Sequence, residues 1–105
     1  MTIQFNTDKN IAGNDRTATY LSSMISDSLD RFSEHITRIE VHLSDENGSG
    51  KEGGDDKRCM LEARMEGKKP LAVTNNADTI EKAVSGAIDK LLTTLEKNLE
   101  RQRSY

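Results

Sequence analysis

The sequence predicts an α+β domain of two layers in the order β-α-β-β-β-α, a four-stranded mixed sheet with both helices on one face. Three observations predict it. Four short stretches alternate apolar and polar residues with the period of a half-buried strand, and two longer ones repeat their apolar residues at helical spacing. Each of the six has a single apolar face, so one shared core satisfies them all. At 105 residues the chain is long enough for one domain with a modest core and too short for two.

The first strand is read at Ile3 and Phe5, which alternate with Gln4 and Asn6 before "DKNIAGND" ends it with turn formers. From about Asp15 the spacing becomes helical: Leu21, Met24, Ile25, Leu29 and Phe32 share one side, Ser22, Ser23, Ser26 and Asp27 the other. Asn14 or Asp15 is the expected N-cap, since its side-chain oxygen can accept from an orphan backbone N–H. This helix is expected to fade near Ser33–His35. Period two returns in "TRIEVHLS", with Ile39, Val41 and Leu43 on one face and Arg38, Glu40 and His42 on the other.

"DENGSGKEGGDD" follows and is read, over residues 45–56, as a flexible acidic Gly-rich connection. It lacks the GxxxxGK[ST] order of a phosphate loop, and its carboxylates fall at the wrong positions for a calcium loop. The third strand has Cys59, Leu61, Ala63 and Met65 in one phase and Arg58, Met60, Glu62 and Arg64 in the other. Gly67-Lys68-Lys69-Pro70 is expected to turn into the fourth strand, begun by Leu71 and Val73; Pro70 suits a strand's first residue because it donates no ladder bond. The last helix opens at "NNADTIEKAV", where Asp78 and Glu81 form a variant capping box. Ile80, Ala83, Val84, Ala87, Ile88, Leu91 and Leu95 make its apolar stripe, and Gly86 permits close approach to a neighbour. Residues 101–105 are read as a short tail.

Composition narrows the function. No basic-then-apolar leader is visible and no stretch nears the ~20 apolar residues of a membrane span, so a soluble cytoplasmic protein is expected, with no membrane contact. The lone Cys59 excludes an internal disulfide. It alternates in phase with Leu61 and Met65, as a buried small hydrophobe does, and no activating histidine stands beside it. His35 and His42 belong to no metal-ligand spacing, and the carboxylates are scattered. An enzyme is therefore not expected, nor a cofactor, a metal or a small-molecule substrate.

Charge is distributed unevenly. Residues 1–56 carry 5 Lys/Arg against 11 Asp/Glu, a balance of −6, whereas residues 57–105 carry 10 against 7, a balance of +3. Because binding follows the local field, a basic patch can survive the acidic total of −3. Lys57, Arg58, Arg64, Lys68 and Lys69 lie on the third-strand hairpin; Lys82, Lys90, Lys97, Arg101 and Arg103 lie on the last helix and tail. Lys90, Lys97 and Arg101, spaced by seven and four, can line one side of a helix. Such a track can engage phosphates, which position a protein on nucleic acid without reading its sequence. Spacing alone leaves the plainer reading open, a solvated amphipathic surface with Glu81, Glu96 and Glu100 interspersed.

Two stretches carry a resemblance: "LDRFSEHITRIEVHLS" and "CMLEARMEGKKPLAVTNNADTIEKAVSGAIDKLLTTLEK", the latter with "AV" at 83–84 and "IDKL" at 88–91. Together they resemble the ribosome hibernation-promoting factor and ribosome-associated inhibitor family, also called the sigma-54 modulation family, in its short form. The resemblance implies the same β-α-β-β-β-α fold. It also implies binding to the small ribosomal subunit and its 16S-type rRNA, in the channel used by messenger and transfer RNA, so that translation is inhibited under stress. The ten cations named above would then be the RNA-binding residues, and any self-association would be weak. The alternative from another class is a protein-interaction module of the same fold that has lost ribosome binding, its acidic first half meeting a basic partner.

Overall fold

The computed structural model describes residues 1–7, 15–45 and 57–103. Its order is β1 (Thr2–Thr7), α1 (Asp15–Ser28), a 3₁₀ turn (Asp30–Phe32), β2 (Arg38–Asp45), β3 (Lys57–Arg64), β4 (Leu71–Ala77) and α2 (Ile80–Arg103). The strands lie in the order β1-β2-β3-β4; β1 is parallel to β2 and the other pairs are antiparallel. The parallel pair requires a long crossover, which α1 supplies, while the antiparallel strands need only reversals. This is the mixed four-stranded sheet and element order that the sequence predicts.

Register turns the period-two pattern into a floor. Phe5, Val41, Leu61 and Val73 stand side by side across the four strands, and Ile3, Ile39, Ala63 and Leu71 form the next row. Val41, Leu61, Ile39 and Ala63 are fully buried. Leu21, Ile25 and Leu29 of α1 and Ala83, Val84, Ala87, Ile88, Leu91 and Leu95 of α2 complete the same core, which places both helices on one face. Each large aliphatic side chain buried there is worth about 1.5–3 kcal/mol over exposure.

Four boundaries differ from the sequence reading. α1 stops at Ser28, and a tight turn with Phe32 N–H donating to the Leu29 carbonyl (2.9 Å) carries the chain on to buried Ile36. The α2 cap is Thr79 rather than Asp78: its Oγ1 accepts from Lys82 N–H at 3.1 Å. Thr79 immediately precedes Ile80, the position from which a hydroxyl reaches the third helical N–H. Asp78 instead pairs with Lys82 at 3.3 Å. The β3–β4 reversal is centred two residues earlier than expected, with Lys68 N–H donating to the Met65 carbonyl at 3.3 Å and Gly67 at φ +74°. A positive φ at the third residue of a turn is what favours glycine there. Finally, α2 continues through Arg103, taking in the first residues of the expected tail. Residues 46–56 of the predicted acidic loop and the predicted α1 cap side chains lie outside the described residues; Asp45 ends β2.

α2 is seated against β4 at one close contact. The Asn75 side-chain amide donates to the carbonyls of Lys82 and Ala83 at 3.4 and 3.3 Å, filling the space beside Gly86. A Cβ at position 86 would meet Asn75 Nδ2 at 2.1 Å. Glycine is required here for space, as its sequence position suggests.

Candidate nucleic-acid interface

The ten predicted cations do not gather in one place. Lys57 and Arg58 begin β3 and Arg64 ends it, seven residues or about 23 Å apart at the usual strand rise. Lys57 stands opposite Asp45, and both Lys57 and Arg58 have interactions of their own. The hairpin therefore carries two separated groups of charge, not the single edge that chain proximity suggests.

Arg64 belongs to a different arrangement again. On the open face of the sheet, Arg38 is registered beside Arg64 and Glu40 beside Glu62, two cations next to two anions. Arg64 Nε lies 2.8 Å from Glu40 Oε2 and its Nη2 3.0 Å from Glu62 Oε1; Arg38 Nη2 meets Glu40 Oε2 at 3.0 Å. The Glu40 side chain is only 13% exposed. Desolvation, the largest single influence on its carboxyl, acts upward. The charges of Arg38 and Arg64, the Arg38 hydrogen bond and the His42 charge together outweigh it, so the group sits below its ordinary value. Glu40 is thus ionised and shared between two guanidiniums. The centre of this face is balanced, and Arg64 is a poor candidate for a free phosphate contact.

Lys68 and Lys69 are exposed beyond Gly67, and Lys97 is exposed on α2; none of the three has an ion pair among the described residues. Lys90 Nζ donates to the Thr74 carbonyl at 2.8 Å, which shows that its flank of α2 borders the β4 edge. Lys97, seven residues on, falls on the same flank. Lys68 lines a cavity with Leu95 and Asn98, so the β3–β4 turn and the Lys97 turn of α2 adjoin. Lys82 starts this flank, with its charge shared with Asp78. Arg101 and Arg103 lie on the backbone of the last turns, their side chains outside the described residues.

The opposite flank of α2 is occupied. Glu96 pairs with Arg31, whose guanidinium also lies 4.7 Å from the Phe32 ring centre. Glu81 sits beside Tyr20 and raises its phenol, by its charge first and their hydrogen bond second. Lys82, Lys90 and Lys97 thus lie on one flank of α2, and Glu81 and Glu96, each engaged by α1 or the 3₁₀ turn, on the other.

Catalytic candidates fare as their positions suggest. Cys59 is fully buried, and burial pushes its thiol up to about 12, far from the thiolate that a nucleophile or metal ligand needs. His42 lies on the open sheet face and His35 at the exposed entry to β2. Among the described residues no three His, Cys, Asp or Glu side chains cluster as metal ligands, and no helix is long and apolar enough to cross a membrane. The sequence reading missed Glu34, Glu66 and Asn98, which line the same cavity as Lys68. They come from three elements distant in sequence, and no local pattern joins them.

Residues 5–103 match the profile of the sigma-54 modulation protein / S30EA ribosomal protein family. The chain belongs to that family. It is a ribosome-associated family, and the match spans nearly every element described above, from β1 to the last turn of α2. The Protein Y N-terminal domain of Thermus thermophilus has a similar structure, with TM-score 0.70 and 21% identity, the alignment covering 92% of this chain and 98% of that one. A ribosomal subunit interface protein from Coxiella burnetii is similar at TM-score 0.68 and 18% identity, over 95% and 99% of the two chains. At such identities the likeness is one of fold. No curated protein matches the chain.

Proposed function

We propose that this sigma-54 modulation family member is a cytoplasmic hibernation factor. It binds the small ribosomal subunit and occupies the channel of messenger and transfer RNA, which inhibits translation under stress. Its mechanism is competitive occupation: a folded wedge, held on rRNA phosphates by lysine and arginine, excludes the ligands of translation without catalysis. The observation that carries the reading is family membership together with the free cations Lys68, Lys69 and Lys97, adjoining Lys82 and Lys90 along one edge. Arg101 and Arg103 belong to the last turns of α2. Lys57 and Arg58, at the far end of β3, and Arg64, engaged by two carboxylates, contribute less.

Phosphate neutralisation releases counterions, so affinity must fall with salt at a slope of about 0.9 per contact on duplex and about 0.7 on single strands. Cosedimentation with purified small subunits across a salt series tests the proposal. Binding at low salt that decays steeply is expected; no binding at low salt contradicts it.

A further inference from the structure

A cavity of about 240 Å³ lies where the end of the 3₁₀ turn, the β3–β4 turn and the last turns of α2 meet. Its floor is apolar, built from Phe32, Met65 and Leu95. Its rim is not: Glu34, His35, Glu66, Lys68 and Asn98 surround the opening, and neither carboxylate has an ion pair among the described residues. Sites for drug-sized ligands run from about 300 Å³ upward, so this one suits a single planar ring system. An apolar floor favours burial of a flat ring, two carboxylates accept from ring N–H groups, and an amide side chain can both donate and accept. Lys68, with Lys69 and Lys97 beside it, supplies positive charge at the mouth.

Those features together match one unpaired nucleotide: a base laid against the apolar floor with its Watson–Crick edge turned to the polar rim, and a phosphate that stays outside. We propose that this cavity receives a guanine base splayed from single-stranded RNA, an inference that rests on the RNA-binding reading above. Guanine is favoured because its Watson–Crick edge presents two adjacent donors, N1–H and the N2 amino group, which a carboxylate accepts together. Uracil offers one donor between two acceptors, which a carboxylate repels. Glu34 and Glu66 specify the base, Asn98 meets the guanine O6 acceptor, and Lys68 anchors the phosphate. Sequence-specific RNA recognition commonly works on such unstacked bases.

The test uses the full chain and fluorescently labelled single-stranded pentamers at low salt: UUGUU, UUAUU, UUCUU and UUUUU, read by anisotropy. UUGUU should bind about fivefold tighter than UUUUU. In the E34Q/E66Q variant the ratio should fall below about twofold, and both positions are exposed enough to spare the fold. K68A should weaken all four pentamers alike. Equal binding of the four, or a guanine preference that survives E34Q/E66Q, overturns the pocket. So does the absence of binding by any pentamer. Small-subunit cosedimentation then judges the ribosome reading separately, since phosphate contacts along the edge do not need the cavity.

Discussion

On the open face of the sheet, Arg38 and Arg64 stand in adjacent register positions next to Glu40 and Glu62, and three contacts of 2.8–3.0 Å tie the four together. Along the edge formed by β4, the β3–β4 turn and α2, Lys68, Lys69 and Lys97 have no such partners among the described residues. Arg64 of the first region and Lys68 and Lys69 of the second lie within five residues of each other in the chain. The difference is in what the fold places beside them. On the open face directly paired residues carry like charge, and opposite charges meet diagonally and two residues along each strand, whereas a turn and a helix flank project theirs into solvent. A count of basic residues therefore misjudges where unpaired cations stand, which is along the edge rather than at the centre of the sheet face.

Four perturbations sharpen or break this contrast, from the largest expected effect to the smallest. Reversing charge on the edge with K68E/K69E/K97E should weaken small-subunit binding more than about thirtyfold at low salt, as judged by cosedimentation, and should reduce the salt slope by about 2–3. A change under threefold would deny the edge its role. Gly86→Ala attacks the seating of α2 on β4. The clash with Asn75 should cost about 1–3 kcal/mol in urea unfolding, more than the helix propensity gained, and should loosen the alignment of Lys90 and Lys97 with the turn. Unchanged or raised stability would mean that Asn75 swings aside at no cost.

The third perturbation makes the quiet face basic. E40Q/E62Q removes the two balancing anions and should raise affinity for single-stranded RNA about threefold, measured by anisotropy at low salt. If affinity is unmoved, cancellation by these carboxylates is not what silences the face. The fourth is a pH effect. The Glu40 carboxyl lies lower in the folded chain than its ordinary 4.5. Its stabilisation is therefore present above that ordinary value and is lost as pH falls through the folded one. Wild type should lose more stability than E40Q on acidification below about 4.5 in thermal unfolding; equal losses would show that Glu40 is not linked to folding.

The fold was legible because each element carries its own period. Ile39, Val41 and Leu43 alternate, Ala83, Val84, Ala87 and Ile88 follow a helix, and the buried residues are those the patterns select. Local chemistry was less legible. Asp78 and Thr79 are both good capping types, and only backbone geometry decides that Thr79 holds the Lys82 N–H. The candidate site was legible by composition and not by arrangement. That Arg64 faces Glu40, across 24 residues of chain, depends on strand register, and that Lys68 adjoins Asn98 depends on how α2 returns over the hairpin. Register and return angle are properties of the assembled sheet, so neither has a sequence-local signature.

Amine acetylation of the free and the small-subunit-bound chain, read lysine by lysine in a mass spectrometer, locates the contact most directly. Protection on binding should concentrate at Lys68, Lys69 and Lys97, while Lys57, at the far end of β3, keeps its free-state reactivity. Protection at Lys57 with the other three still reactive would place the subunit on the wrong end of the hairpin and contradict the assignment.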